Sequence, residues 1–146
     1  MTEPVSHATH IRVRYADTDK MQIVYNGKYL EYFEVGRTEL IRALGYPYVQ
    51  LERDGILLPL VEAHCRYHQP ARYDDLLTVV SEVREIPRST LRIDYRILLE
   101  EDNGEDAAVI TTGYTVHAFL DVERQRPVRP TPAFLAALNA APGRSD

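Results

Sequence analysis

The stretch NGKYLEYFEVGRTELIRALGYP, Asn26 to Pro47, decides the fold. Its apolar or small positions Tyr29, Phe33, Gly36, Leu40 and Leu44 recur at spacings of four and three, which puts them on one stripe of an α-helix. Asn26 is the expected N-cap. Gly45 and then Pro47 supply the stop. A mid-helix glycine costs about 1 kcal/mol relative to alanine, so Gly36 on the buried stripe implies that the helix lies close against another backbone. A sheet is the natural partner.

Outward from the helix the period changes to two. Ile11, Val13 and Tyr15 alternate with Arg12 and Arg14, the pattern of a short half-buried strand. Four strand-like runs follow, near Leu57–His68, Leu77–Glu85, Thr90–Leu99 and Ala107–Leu120, and Leu91, Ile93, Tyr95, Ile97 and Leu99 alternate cleanly. Pro70, Asp74-Asp75, Pro87 and Asp102-Asn103-Gly104 mark the turns between them. The tail from Pro130 to Asp146 reads as one weak helical turn. One helix and about five strands predict an α+β domain, the helix packed on one face of a mostly antiparallel sheet. A single helix cannot cover both sheet faces and the edges, so self-association is expected.

The bulk numbers agree with one domain over residues 1–146, with a core over about 10–121 and a tail over 122–146. A composition of 45% hydrophobic and 27% charged residues is that of an ordinary globular protein. The formal net charge of -5 argues against a general nucleic-acid binder, although a local basic patch can hold one small anion. One cysteine, Cys65, excludes an intramolecular disulfide and a framework of zinc-ligating cysteines, and is read as a small core residue. MTEPVSHATH lacks the basic start and apolar run of a signal peptide, and no stretch reaches the roughly 18 apolar residues of a membrane span, so the expected compartment is the cytoplasm.

Chemistry is concentrated in YADTDKMQIVYNGKY, Tyr15 to Tyr29, which joins the first strand to the helix. Asp17 and Asp19 lie in a loop that ends at a helix N-terminus, where unpaired N–H groups and a partial positive charge suit an anion or a developing oxyanion. A carboxylate beside it can attack a carbonyl, or activate water to do so. Acidic residues in such loops also serve as plain caps and turn formers. A phosphoryl-transfer or metal role for the D-x-D pair would need helical crossovers that this pattern lacks.

The loop and helix, read as Y-A-D-T-D-K-M-Q-I-V-Y-N-G-K-Y-L-E-Y-F-E-V-G-R-T-E, resemble the 4-hydroxybenzoyl-CoA thioesterase family of hot-dog proteins. A second block, L-P-L-V-E-A-H-C-R-Y-H-Q-P-A-R-Y-D-D-L-L-T-V, carries the P-A-R-x-D-D element found in relatives. The resemblance implies a five-stranded antiparallel sheet wrapped around one long central helix, with protomers paired through their sheets as a homodimer or homotetramer. It implies hydrolysis of an acyl-CoA thioester, with Asp19 as nucleophile or general base, Asp17 structural, and the main-chain N–H at Asn26 polarising the carbonyl. No metal or cofactor is required beyond coenzyme A as part of the substrate. Relatives commonly carry Gly where Gln22 stands and His where Asn26 stands. These two departures keep open a catalytically idle acyl-CoA-binding protein, whereas a hot-dog dehydratase would need a His that the helix lacks.

Weaker assignments complete the expected site. Glu62, His64, Arg66 and His68 alternate along one strand face, with Glu62 and His64 the better contacts for an acyl group, although a solvated or intersubunit face is the simpler reading. Tyr25, Tyr29 and Tyr32 border an acyl pocket if they are not plain core residues. Arg88 and Ser89, with Arg72 next, are read as contacts for the coenzyme's phosphates. Arg37 and Glu39 are read as solvated or interface ion pairs.

Overall fold

In the computed structural model the described residues are 3–46, 48–100 and 107–141; Pro47 and the turn at Asp102-Asn103-Gly104 lie outside them. Strands β1 (Val5–Arg12), β3 (Leu60–Tyr67), β4 (Leu76–Val83), β5 (Thr90–Leu99) and β6 (Ala108–Ala118) form one sheet in the order β1-β4-β5-β6-β3, every pair antiparallel. Helix α1 (Lys28–Ala43) packs on one face of the sheet, chiefly against β1 and β4. A small second sheet joins β2 (Ile56–Leu57), β7 (Leu120–Asp121) and β8 (Arg126–Pro127). This is the α+β arrangement expected from the sequence.

The helical stripe buries as its spacing requires. Tyr29, Phe33, Gly36 and Leu40 are buried, with Tyr32 and Ile41 beside them, and Leu44 caps the end half-buried. Phe33 stacks on Tyr95 with ring centroids 4.2 Å apart. Gly36 does make the close approach: a Cβ there would lie 2.6 Å from Ser81 Oγ and 2.7 Å from Val79 Cγ1, both on β4. The clean alternation of β5 places Leu91, Ile93, Tyr95 and Ile97 in the core.

Four expectations are corrected. The first strand is Val5–Arg12, not Ile11–Tyr15, because the Asp17 carboxylate caps the Arg14 amide and turns Tyr15–Asp17 into a 3₁₀ turn. Asn26 is not the N-cap; Gly27 is, and both lie in a turn closed by the Lys28 amide donating to Tyr25 O. The helices α2 (Tyr48–Arg53) and α3 (Pro132–Asn139) have too few turns to show a stripe in sequence. In α3, Thr131 caps the Phe134 amide, Pro132 opens the first turn, and Phe134 packs edge-on against Tyr46 and Phe119. Arg37, read as part of a solvated or interface ion pair, is half-buried and donates within the fold to Tyr95 Oη at 3.4 Å.

That arginine begins a chain of polar groups under the helix. Tyr95 Oη and Thr115 Oγ1 are 2.6 Å apart, Thr115 Oγ1 and His117 Nε2 2.9 Å, and His117 Nδ1 and Leu58 O 3.1 Å. The Leu58 carbonyl can only accept, so Nδ1 carries the proton and Nε2 accepts from Thr115, which accepts from Tyr95. Every bond then points from Arg37 toward Leu58. Burial, and then the Arg37 charge, push His117 down to about 4 against the opposing effect of the Leu58 carbonyl.

Two outcomes follow from this packing. Gly36→Ala gains helix propensity but forces its methyl into Val79 and Ser81, and should cost about 1–2 kcal/mol net, read as a lower urea midpoint. His117 stays neutral in the fold while an unfolded histidine protonates near 6.5, so its contribution to stability is present above pH 6.5 and lost as pH falls toward 4. That loss is at most about 3 kcal/mol, and His117→Gln should flatten the pH dependence of the urea midpoint over this window.

Candidate active site

The loop between β1 and α1 is built around Asp17, which is 1% exposed. Its Oδ2 accepts the Arg14 amide at 3.1 Å and the Tyr32 hydroxyl at 2.9 Å; its Oδ1 accepts Arg14 Nη2 at 3.0 Å, with Lys28 Nζ 3.8 Å away. Burial alone would raise this carboxyl, but the Arg14 amide, the Tyr32 hydroxyl and the Arg14 guanidinium outweigh it and hold the group below the ordinary aspartate value. Tyr32 is pushed well above the usual tyrosine range by burial and by Asp17, so it stays protonated and donates. The first acid of the pair is thus a structural hub.

From that hub the loop doubles back on itself. The Tyr25 amide donates to Asp17 O, Thr18 bridges Val24, the Asp19 amide donates to Ile23 O, and the Gln22 amide donates to Asp19 O, each of these three bonds being 2.9 Å. Asp19 Oδ1 accepts the Met21 amide at 2.8 Å, which fixes the half-buried carboxylate in the turn. Gln22 closes the turn with φ of 65°, the left-handed conformation that glycine takes most cheaply. That is a physical reason for the glycine that the resemblance leads one to expect at this position.

The second sequence block cradles the first. The Val24 amide donates to Ala71 O at 2.8 Å, and Ile23 bridges Arg72. The Val13 amide donates to Asp75 O, the Asp74 amide to Val13 O, and Asp75 Oδ2 accepts the Arg72 amide at 2.8 Å. The P-A-R-Y-D-D turn therefore holds the loop from behind.

Asp19 and Asn26 both line a cavity of about 350 Å³, with Met21, Ile23, Val24, Tyr29, Tyr67 and Pro70 as its apolar walls and His68 and Gln69 beside them. The Tyr67 hydroxyl donates to Asn26 O at 3.3 Å, tying the end of β3 to the start of α1. Tyr29 is buried beneath, its ring 5.6 Å from that of Tyr67, and burial raises its hydroxyl. Asp19 also lines an open cleft of about 700 Å³ with Gln22, Arg72 and Tyr73.

The structure brings together Asp19, Asn26 and Tyr29 in one cavity and Asp19, Gln22 and Arg72 in the other. Tyr25 is exposed, its ring laid against Gly27, and Tyr32 is committed to Asp17. Glu62 and His64 lie on the outer sheet face, away from the Asp19 cavity. There the Tyr114 hydroxyl donates to Glu62, the His64 ring stacks on Tyr114, and Arg92 sits 3.9 Å over the same ring. Arg88 and Ser89 line a separate open cleft at the β4–β5 turn. The β1–β4 register, Val5 beside Val83 and Arg12 beside Leu76, sets that turn at the opposite end of the sheet from Asp19. Cys65 is half-buried against the core, and burial raises its thiol. Tyr67 and Gln69 were not singled out in the sequence; their signal was Pro70, which ends the strand just beside them. Among the described residues there is no group of three or more His, Cys, Asp or Glu that could hold a metal ion. No helix among them is long and apolar enough to cross a membrane.

A single long helix gripped by a five-stranded antiparallel sheet, with an acidic loop ahead of the helix, defines the hot-dog class. The family model of the thioesterase-like superfamily matches residues 13–138, and the chain belongs to that superfamily. The protein YneP of Bacillus subtilis (strain 168) is 34% identical over 124 residues, spanning 85% of this chain and 86% of that one. A DHNA-CoA thioesterase from Staphylococcus aureus superposes with a TM-score of 0.81 at 30% identity, over 92% of this chain and 89% of that one. The 4-hydroxybenzoyl CoA thioesterase of Pseudomonas sp. strain CBS-3 shares the fold, with a TM-score of 0.79 at 20% identity over 90% and 98% of the two chains.

The left-handed turn residue gives a direct test. Gln22→Gly relieves the backbone strain, partly offset by the greater freedom of an unfolded glycine, and should stabilise the protein by roughly 0.5–1 kcal/mol in urea unfolding.

Proposed function

We propose that the protein hydrolyses acyl-CoA thioesters, with Asp19 as the catalytic carboxylate and the start of α1 as the oxyanion site. One observation carries this reading: Asp19 and Asn26 face the same apolar cavity at a helix N-terminus. The Lys28 and Tyr29 amides are taken by Tyr25 O and Asn26 O, which leaves the Asn26 amide, just ahead of α1, as the donor to the oxygen on which charge develops when a carbonyl is attacked. The apolar walls suit an acyl group.

The step balances in either of two forms. As nucleophile, Asp19 forms a mixed anhydride with the acyl carbon and expels the coenzyme thiolate, and water then cleaves the anhydride. As general base, Asp19 takes a proton from water, whose oxygen attacks the carbonyl directly; the C–S bond then breaks and the coenzyme thiolate leaves to take up a proton. Both deliver one water oxygen to the acid and one proton to the solvent or the thiolate. Neither asks for a metal ion, since thiolate is a good leaving group. The working unit is a homodimer or homotetramer; β3 stands at an open sheet edge with Leu60, Val61 and Tyr67 each more than half exposed, which supports pairing there.

Thiol release from short, long and aromatic acyl-CoAs tests the reading with wild type and Asp19→Asn. Turnover of at least one substrate by wild type, reduced about 10²-fold or more in kcat by the substitution, is expected. Undiminished activity in Asp19→Asn removes Asp19 from the mechanism.

A further inference from the structure

The start of α1 is weakly held from within. Its N-cap is Gly27, which has no side chain to cap the first turn. The Tyr25 carbonyl takes the Lys28 amide at 2.9 Å, but the Tyr29 amide reaches the Asn26 carbonyl only at 3.4 Å, a stretched bond. That carbonyl has a second partner from outside the helix, the Tyr67 hydroxyl at the end of β3, 3.3 Å away. The Tyr67 ring lies 5.6 Å from the ring of Tyr29, whose own hydroxyl accepts the Ala71 amide at 3.4 Å. Packing as well as hydrogen bonding therefore aims the Tyr67 hydroxyl. Partial burial raises this hydroxyl, so at neutral pH it keeps its proton and donates.

A peptide group is planar and trans, so the Asn26 N–H points opposite to the Tyr25 carbonyl, and therefore away from the helix. The next peptide plane carries the Asn26 carbonyl, and the two planes meet at the Cα of Asn26. Rotation there swings the amide relative to the cavity that Asp19 and Asn26 line. A grip on the Asn26 carbonyl limits that rotation. Resting on the thioesterase reading above, we propose that Tyr67 is a positioning residue, whose hydroxyl holds the peptide after Asn26 and so keeps the Asn26 amide aimed at the oxygen on which charge develops. Tyr67 lines the same cavity, so the donor is registered to a wall that the substrate touches. A donor of this kind lowers the barrier only when its aim is fixed before the charge appears. The task belongs to the hydroxyl and not to the ring: a phenylalanine keeps the cavity wall and the packing on Tyr29 but loses the grip.

Tyr67→Phe tests the assignment. In thiol release its kcat should fall about ten-fold with KM unchanged, short of the roughly 10²–10³ that removing an oxyanion donor outright costs. Its urea midpoint should match wild type, because the lost hydroxyl belongs to a side chain that is more than half exposed. A ketone analogue of acyl-CoA, with a methylene in place of the thioester sulfur and carbon-13 at the carbonyl, supplies a spectroscopic reading. Its infrared carbonyl band should move to lower frequency on binding to wild type, and by less on binding to the variant. A band moved equally by both proteins overturns the role of Tyr67, whether kcat is unchanged or falls together with the urea midpoint, and leaves the thioesterase reading in place. A band that wild type does not move overturns this role and the oxyanion site together. A band movement lost in the variant of a protein that cleaves no thioester would remove the thioesterase reading and leave the positioning role standing.

Discussion

The buried charge of Asp17 is the constraint on which the site depends. An ionised carboxylate out of water costs several kcal/mol unless it is paired and hydrogen-bonded. Here its donors come from different parts of the chain: Arg14 at the end of β1, and Tyr32 and Lys28 on α1. Satisfying one side chain therefore fixes the angle at which the strand hands the chain to the helix. Its main-chain carbonyl then takes the Tyr25 amide, so both ends of the intervening turn are tied to one residue. Asp19, two positions on, has little freedom left.

Below the loop, the core is shaped by what is missing as much as by what fills it. Without a side chain at Gly36, α1 settles onto Val79 and Ser81. Gly113 on β6 performs the matching service across the sheet, where a Cβ would meet His64 O and the Phe33 ring. The stack of Phe33 on Tyr95 occupies the room so released. The polar chain from Arg37 to Leu58 runs beside it and orients the one buried histidine by a carbonyl that can only accept.

How much of this the sequence disclosed follows from the range over which each feature is encoded. The helical stripe and the alternation of β5 are local periodicities with one buried face, and both were legible. The start of β1 was not, since Val5 to Arg12 shows no clean alternation, and α2 and α3 are too short for a stripe. Asp19, Asn26 and Tyr29 were singled out from the loop and the family resemblance, and they line one cavity. Glu62 and His64 lie on the outer sheet face, where the simpler reading of a solvated or intersubunit face puts them, because a period of two tells which residues share a strand face but not which face meets the helix. Arg37 looked like a surface charge because nothing local announces that Tyr95, 58 residues later, lies beneath it. Likewise, only the fold shows that Arg88 and Arg72 belong to opposite ends of the sheet.

The last strand of the sheet has a double membership. Tyr67 ends β3, and His68 and Gln69 follow it, yet all three also line the cavity beside Asp19. A chain that adds itself to the open side of β3 would therefore meet the lining of that cavity as well as the ladder. The edge that is open to a further strand and the lining of the cavity thus share three consecutive residues.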